Sequence, residues 1–596
     1  MPCTTILVGK LASYDGSTMI ARNDDSGAGS FTPKKFVVIH PEDQPRHYKS
    51  VISHVEIDLP DNPMRYSAVP NALKGEGVWG AAGVNAANVA MTATETITSN
   101  ERVLGADPLV VYKPAEKEDF LNDAMGSGDI ATKKEENKSA KAAKKEEKRA
   151  QSLKKSAKKE EVVSEELAET PGGIGEEDIV TLVLPYIHSA REGVERLGSL
   201  LEKYGTYEMN GIAFSDVNEI WWLETIGGHH WIAKRVPDDA YVMMPNQFGI
   251  QLFDLADALG AAENHMCSKD LKEFIEKNHL DLYNPVDYYG IDEEEVSDEA
   301  GEAGEAGEAY DGLIDARLAF GSHDDADHVY NTPRAWYMGR YFNPNTFKWE
   351  GADADYRPDS DDIPWCLVPE KKITVEDVKY ILSSHFQGTQ YDPYAKYGRG
   401  GMTGAYRSIG VNRTDFMALL QLRPYAAEGF RAVEWICFCS NVFNAAVPFY
   451  PNVDKMPEYL SNTGKEVSTD NFYWNCKLIA ALADASYGKS LNHIERYQLA
   501  VQSKGHEIIN KYDAILAEKF EIDKNKKSRS SKVKKNSKIE ILSTVVENGS
   551  PEITQLLERA NEEMAAVLKE KTAELLNKVL FEASNGMKNQ YARSDA

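Results

Sequence analysis

The chain has 596 residues, a formal net charge of -27 at pH 7 and 42% hydrophobic residues. The length suits several average domains or one large unit with insertions, and the acidic excess excludes general nucleic-acid binding, which needs a basic face. No apolar stretch approaches the roughly 20 residues that span a bilayer, and no signal-peptide pattern opens the chain. We therefore expect a cytoplasmic protein with no nucleic-acid or membrane partner, and the six scattered cysteines predict reduced thiols.

The first predicted element is a β-hairpin close to the amino terminus. Cys3 precedes a β-prone run, an Asp-Gly pair at 15–16 supplies a turn signal, and a second β-prone run carries Arg22, Asp24 and Asp25. The hairpin would fold these three charged residues back towards the thiol.

This arrangement matters if the residues before Cys3 are removed, because Cys3 then carries both a thiol and an α-amino group, with reference pKa values of about 8.5 and about 8. Arg22 would stabilise the thiolate, and a carboxylate would orient the amine. Asp24 shares a face with Arg22 in a regular strand, so Asp25 serves only if a bulge or strand end interrupts the alternation near Asn23. The structural alternative is a buried apolar cysteine beside surface charges.

The rest of the chain predicts a mixture of strands and helices. Short strands are expected from 3 to 100, and a helical period over 177–204 predicts a helix that Pro185 splits and Gly205 ends. A meander follows, with Asn246 just past its last strand, and its strands are expected at 211–215, 220–225, 231–235 and 241–244. Later strands are expected at 331–340, 408–411, 417–422 and 435–439, and a long helix at 551–580. This order favours two sheets with helices around them over a doubly wound parallel sheet.

Three charged segments are predicted to be additions to the core. They are a Lys/Glu/Ala-rich insertion at 114–170, an acidic repeat within 286–312 and a basic loop at 524–538. We interpret them as solvated segments, because they lack the interleaved aromatic residues that stack bases. The chain then divides into a catalytic domain at 3–480 and a helical C-terminal region at 481–596. The last helix is expected to pack on its own chain, and a homo-oligomer remains the alternative.

Neither His229-His230 nor Cys437-x-Cys439 has the spacing of a metal site. Adjacent strand residues point to opposite faces, and a Cys-x-Cys pair is not the usual zinc spacing. A Gly-rich loop at 398–404 lacks the Lys-Ser/Thr ending of a phosphate loop. The sequence therefore predicts no metal and no cofactor.

The motifs CTTILVGK at 3–10 and SYDGSTMIARNDD at 13–25 closely resemble the start of the bacterial dipeptidase A family. These are cysteine peptidases of the N-terminal nucleophile superfamily, and secernins are similar to them. The resemblance continues, in the family's order, at 80–85, 173–178, 228–231, 245–248, 388–393 and 422–424. It implies an α+β fold, the four-layer αββα sandwich of N-terminal nucleophile hydrolases, and hydrolysis of dipeptides through a thioester on Cys3.

More distantly, Cys3 with the Arg22-x-x-Asp25 spacing is similar to bile salt hydrolases and penicillin V acylases. In those relatives an asparagine after a late strand donates to the oxyanion, and Asn246 resembles it. Their second oxyanion asparagine would align near Glu95, which carries no amide. This departure disfavours an acylase.

The resulting hypothesis is a dipeptidase whose catalytic residues are Cys3, Arg22, Asp25 and Asn246. The alternatives are an amidase acting on N-acyl substrates and a secernin-like protein without peptidase activity. Pro2 must be cut from Cys3 for the peptidase mechanism to work. Four arginines are candidate binders of a dipeptide's C-terminal carboxylate, and the sequence does not choose among Arg334, Arg340, Arg407 and Arg413.

Overall fold

The chain begins with the predicted antiparallel hairpin. Its strands are β1 (Thr4–Val8) and β2 (Thr18–Asp25), both buried along their whole length, and Thr5 lies opposite Arg22. The computed structural model describes residues 3–27, 30–115, 168–282, 312–322, 324–395, 401–533 and 551–589. The other strands of the described chain follow in order: β3 (Val37–Ile39), β4 (His47–Lys49), β5 (Glu56–Asp58), β6 (Tyr66–Ala68), β7 (Ala82–Val84), β8 (Ala90–Thr96), β9 (Asn210–Ser215), β10 (Ile220–Ile226), β11 (His230–Arg235), β12 (Tyr241–Met244), β13 (Leu252–Asp254), β14 (His265–Cys267), β15 (Leu313–Asp315), β16 (Cys366–Leu367), β17 (Thr414–Leu422), β18 (Ala432–Phe438) and β19 (Val447–Phe449).

Most of these strands form two antiparallel sheets. The larger has the order β16-β12-β1-β2-β17-β18-β19, and the smaller has the order β14-β11-β10-β9-β8-β7. The predicted meander is confirmed as four strands, but it is divided between the sheets: β9, β10 and β11 stay in the smaller sheet, while β12 pairs with β1 in the larger one. The C-terminal end of β12 therefore lies beside the start of β1, the strand that follows Cys3.

The α-helices of the described residues are α1 (Glu101–Ala106), α2 (Glu176–Val183), α3 (Ala190–Tyr204), α4 (Leu255–Leu259), α5 (Leu271–Asn278), α6 (Ala316–Phe320), α7 (Asp327–Tyr330), α8 (Thr332–Phe342), α9 (Val375–Leu382), α10 (Glu458–Ser461), α11 (Phe472–Ala485), α12 (Tyr487–Val533) and α13 (Pro551–Asn585). The helix predicted at 177–204 is confirmed as α2 and α3, separated by a 3-10 turn that contains Pro185. Gly205 ends α3 with a φ of 68°, a conformation that glycine adopts without strain. The helix predicted at 551–580 is confirmed as α13.

The two sheets contact each other, and helices cover them. Strand β2 contacts β8 and β9 of the smaller sheet, and β17 contacts β7 and β8. Helix α3 packs against β9, β10 and β11, while α9 packs on β1, β2 and β17 and α11 packs on β18. Two clusters of buried apolar side chains fill the space between these elements. The architecture is α+β, as predicted.

Two strand predictions are wrong. The segment predicted as a strand at 331–340 is helical, forming α8 with Pro333 in its first turn, where the missing proline N–H costs no hydrogen bond. The segment at 408–411 is not a strand but a bend between loop and β17. Its backbone instead binds the segment just after α9, because the Gly410 N–H donates to the Ser384 carbonyl.

The chain forms two units, one of residues 1–111 and 172–596 and the other of residues 112–171. In the second unit, Lys113 and Thr170 exchange two backbone hydrogen bonds of 3.0 Å. The predicted insertions at 114–170 and 286–312 lie almost wholly outside the described residues. The basic loop predicted at 524–538 begins within the helical backbone of α12, and its remainder is outside them as well. Among the described helices, none has the length and apolar character needed to cross a membrane.

Candidate active site

Arg22 is the centre of a buried cluster at the start of the hairpin. Its Nη2 atom lies 2.9 Å from Cys3 Sγ, 2.9 Å from Asp24 Oδ1 and 3.0 Å from Glu176 Oε1. Arg22 and Asp24 share a face of β2, and the antiparallel register brings that face to Cys3. All four side chains are buried. A guanidinium in contact with a thiol favours the thiolate, which is the nucleophilic form.

Opposite charges stabilise the ionised groups of this cluster. Burial alone would lower the pKa of Arg22, but the charges of the Cys3 thiolate, Glu176 and Asp24 raise it above its ordinary value. Burial alone would raise the pKa of Asp24, but the charges of Lys34 and Arg22 outweigh burial and hold it below its usual range. Lys34 Nζ lies 3.0 Å from Asp24 Oδ2. The neighbouring charges therefore favour the ionised forms of Arg22 and Asp24.

Helix α2 supplies Glu176 as its first residue. Gly175 precedes it, and a Cβ at this position would lie 2.1 Å from the Tyr207 ring, so a larger residue would require that ring to move. The Glu176 N–H donates to Glu208 Oε1 at 2.7 Å. Burial and the charge of Glu176 raise the pKa of Glu208. The motif at 173–178 belongs to the sequence resemblance, but nothing in it indicates a contact with Arg22, which lies 154 positions away.

Cys3, Asp24 and Glu176 have the donor atoms of a metal site, with ligand atoms within 4.8 Å of one another. The Arg22 Nη2 atom lies about 3 Å from each of them. A cation bound by all three would have to displace the guanidinium. The donor set is therefore already occupied by Arg22, and the residues do not fit a resident metal.

Asp25 occupies a different place from Asp24. Its Oδ1 accepts a 2.6 Å hydrogen bond from the Thr414 hydroxyl, and its Oδ2 binds Arg407. The ladder between β2 and β17 is irregular at this level, where Asp25 pairs with Thr414 and Asp24 pairs with Phe416. The extra residue is in β17, and β2 itself ends at Asp25, so Asp25 lies at a strand end. Asp24 contacts the Cys3 thiol at 3.9 Å, whereas Asp25 contacts Arg407 and Thr414.

Asn246 lies just after β12, as the sequence predicted, and Arg334 of α8 connects it to Cys3. Arg334 donates to the Cys3 carbonyl, to Thr4 Oγ1 at 2.6 Å and to Asn246 Oδ1 at 2.8 Å. Asn246 Nδ2 donates to the Thr96 carbonyl at 3.0 Å. These two contacts determine which way the amide is turned.

The four candidate arginines lie in two different places. Arg340 binds the exposed Glu350 at 2.9 Å. Arg334 and Arg407 lie on the ring of Tyr330, with guanidinium carbons 5.3 and 5.0 Å from its centroid. Arg413 Nη2 donates to the Tyr330 hydroxyl at 2.7 Å. Three of the four arginines therefore meet around one tyrosine near Cys3.

The expectation that His229 and His230 point apart is wrong. His229 precedes β11 and lies in a turn, so strand alternation does not separate the two side chains. Both Nδ1 atoms bind Asp107, at 2.9 and 2.7 Å. Asp107 thereby holds the turn between β10 and β11.

Comparison with known proteins assigns the chain to a family. Residues 2–500 match the model of Peptidase family C69. A protein named dipeptidase from Bifidobacterium longum (strain NCC 2705) is 49% identical over 100% of both chains. A probable dipeptidase A from Streptococcus pyogenes serotype M3 is 44% identical over 100% of both chains, and dipeptidase A from Lactobacillus helveticus is 38% identical over 99% of this chain and 98% of its own. The resemblance found in the sequence is confirmed, and the chain belongs to Peptidase family C69.

Proposed function

We propose that the protein is a dipeptidase in which Cys3, once it is the first residue, is the nucleophile. The observation that carries the proposal is the contact of 2.9 Å between Arg22 Nη2 and Cys3 Sγ inside a buried ionic cluster. A thiolate needs such a cation to persist away from water. The names of the full-length relatives support dipeptides as the substrate class.

We assign the fold to the four-layer αββα sandwich of N-terminal nucleophile hydrolases. The contacts of β2 and β17 with β7, β8 and β9 support two inner sheet layers, and α3 on one sheet with α9 and α11 on the other support two outer helical layers. The catalytic domain is proposed to extend over 3–480 and the helical region over 481–596. Cys3 directly precedes Thr4, the first residue of β1, so the nucleophile is placed at the end of a strand of the larger sheet.

In the acylation step the Cys3 thiolate attacks the carbonyl carbon of the peptide bond, and a C–S bond forms as the carbonyl electrons move to oxygen. The Asn246 amide stabilises the resulting oxyanion, a contribution worth about 3 to 4 kcal/mol for one such donor. The C–N bond then breaks. The protonated α-amine of Cys3 gives its proton to the leaving amine, and a thioester remains.

In the deacylation step water attacks the thioester carbon while the α-amine of Cys3 takes a proton from it. The C–S bond breaks, the thiolate returns and the second product leaves as a carboxylic acid. Asp25 is proposed to orient the amine, with Arg407 and Thr414 holding its two oxygens. Asp24 and Glu176 hold Arg22 against the thiol. No step uses a cofactor.

The mechanism requires removal of every residue before Cys3, because only a terminal cysteine has an α-amine. A variant lacking Pro2 would place Cys3 directly after Met1. Removal of that methionine would then produce the terminal cysteine without any further cleavage. This variant separates maturation from catalysis.

The test is hydrolysis of a panel of dipeptides and of N-acyl amides by the purified protein. We expect cleavage of dipeptides, loss of that activity in Cys3→Ala, and retention in Cys366→Ala, which changes a thiol in β16. Circular dichroism checks that both variants fold. Preferential cleavage of N-acyl amides would favour an amidase, and retained activity in Cys3→Ala would refute the nucleophile.

A further inference from the structure

Carboxylates predominate on one side of Cys3, and arginines predominate on the other. On the side of α2, two carboxylates approach the thiol: Asp24 Oδ1 lies 3.9 Å from Sγ, and Glu176 Oε1 lies within 4.8 Å of it. The Glu208 carboxylate lies next to Glu176 and accepts a hydrogen bond from the Glu176 backbone N–H. The two cations described in contact with this group are Arg22 and Lys34. Three carboxylates and two side-chain cations therefore meet on this side of the site.

The opposite side is basic. Arg334 and Arg407 enclose the Tyr330 ring and both reach Thr4, the residue after the nucleophile. Arg413 lies next to them, since it donates to the Tyr330 hydroxyl at 2.7 Å and to the Ser26 carbonyl at 3.1 Å. Arg407 binds Asp25, but Arg413 contacts no carboxylate among the described residues. Arg413 is also partly exposed.

We propose that these two sides recognise the two charged ends of a dipeptide, with Glu176 binding the α-ammonium group and Arg413 binding the C-terminal carboxylate. The proposal rests on the dipeptidase function above and assigns the groups that restrict it to two-residue substrates. A carboxylate and a guanidinium are the natural partners of these ends, and an arginine can hold a carboxylate through two parallel hydrogen bonds.

Reaction geometry places the ammonium group near Glu176. Standard bond lengths put the α-nitrogen of the first residue about 2.5 Å from the scissile carbon. That carbon approaches the attacking sulfur to about 3 to 3.5 Å before reaction. The ammonium nitrogen is thus within about 6 Å of Sγ, which is the zone where Glu176 and Asp24 lie. Asp24 is already bound by both Arg22 and Lys34, which favours Glu176 as the ligand.

The carboxylate end is assigned to the other side, where the three arginines lie. The second residue of a dipeptide is the leaving group, so its carboxylate points away from the acyl half. Neighbouring Cα atoms are about 3.8 Å apart, and a carboxylate only one residue beyond the cut bond therefore stays close to the nucleophile. Arg413 is joined to Cys3 through Tyr330, Arg334 and Thr4. A longer peptide would have no carboxylate at that position.

The experiment compares kcat/KM for one dipeptide, its N-acetyl derivative and its C-terminal amide, following cleavage of the same peptide bond. We expect the unvaried enzyme to cleave each blocked substrate at least tenfold more slowly. Glu176→Gln should slow the unblocked dipeptide at least tenfold and remove the penalty for N-acetylation. Arg413→Gln should likewise slow the unblocked dipeptide at least tenfold, and it should remove the penalty for the C-terminal amide. Arg340→Gln is the matched control, since Arg340 binds Glu350 on the surface, and it should change neither ratio.

The ratios between substrates separate recognition from a merely structural role. If Glu176→Gln or Arg413→Gln slows all three substrates by one factor, the proposal is wrong for that residue. Equal cleavage of all three substrates by the unvaried enzyme refutes it entirely while leaving the dipeptidase intact. Cleavage of none of them refutes the proposed function instead. If Glu176→Gln does not fold, Glu176→Asp replaces it. This variant keeps a negative charge but places it farther from the substrate ammonium group, so it must slow the unblocked dipeptide more than the N-acetyl dipeptide.

Discussion

Replacing Arg22 by glutamine is the perturbation that the geometry makes most specific. One nitrogen of Arg22 contacts the thiol, Asp24 and Glu176, so the substitution removes the cation shared by three acidic groups. Lys34 remains, but it lies on the far oxygen of Asp24. The thiol is then left beside two carboxylates, and the neutral form becomes favoured.

The size of the effect follows from the contact. A cation within about 4 to 6 Å changes the pKa of an ionisable group by roughly 1 to 3 units, and this one lies 2.9 Å from the sulfur. We therefore expect the midpoint of thiolate formation to rise by at least about one pH unit, and kcat/KM at neutral pH to fall about 10- to 1000-fold. Arg22→Lys keeps the positive charge but loses the planar guanidinium. Its thiolate midpoint and its kcat/KM should therefore lie between those of the unvaried enzyme and those of Arg22→Gln.

The assay is the rate of alkylation of Cys3 by iodoacetamide as a function of pH, with the modified residue identified by peptide mass. Both variants are prepared in the form that lacks Pro2, so that maturation does not limit the result. Urea denaturation measures the accompanying loss of stability, which should reach several kcal/mol because two buried carboxylates lose a partner. A midpoint in Arg22→Gln equal to that of the unvaried enzyme would refute the role of Arg22.

Three further substitutions test other parts of the account. Asn246→Ala should lower kcat by about 100- to 1000-fold with little change in KM, as expected for an oxyanion donor, and steady-state kinetics measure both. Asp25→Asn should flatten the pH profile of kcat/KM and change the alkylation rate of Cys3 less, because Asp25 is assigned to orient the α-amine. A larger change in alkylation than in the pH profile would instead assign that role to Asp24. Burial raises the pKa of Glu434 to about 8, whereas the pKa in the unfolded chain is 4.5. Between these two pH values the folded state keeps the Glu434 proton and the unfolded state releases it, so the free energy of unfolding falls as pH rises. Glu434→Gln should therefore be more stable than the unvaried protein at pH 8, with the difference shrinking by about 1.4 kcal/mol per pH unit towards pH 5 in urea denaturation.

The hairpin was predictable because its signals are local. β-prone residues on both sides of an Asp-Gly pair specify two antiparallel strands, and strand alternation then brings Arg22 and Asp24 to the face of Cys3. The position of Asn246 was predictable for a similar reason, since the meander before it alternates clearly with turns. The contact between Cys3 and Arg22 is thus encoded within one short stretch of sequence.

The contribution of Glu176 could not be derived in this way. It reaches Arg22 through the packing of α2 against the sheets, and no periodicity reports a contact across 154 positions. The same limit applies to Arg334, whose segment was predicted to be a strand. Pro333 instead lies in the first turn of a helix that brings Arg334 to the Cys3 carbonyl.

The position of the histidines illustrates how an element boundary changes a prediction. Alternation separates two adjacent side chains only when both belong to the strand, and β11 begins at His230. One residue of difference places both rings on Asp107. Boundaries of this kind depend on the turn that the tertiary structure selects, which neighbouring residues do not determine.

The central claim is that Cys3 acts as a terminal nucleophile, and the mass of the active protein tests it most directly. Intact-mass spectrometry of preparations with different degrees of processing, each assayed on one dipeptide, relates activity to the first residue of the chain. The account predicts that activity is proportional to the fraction that begins at Cys3. Full activity in a chain that retains Pro2 would contradict it.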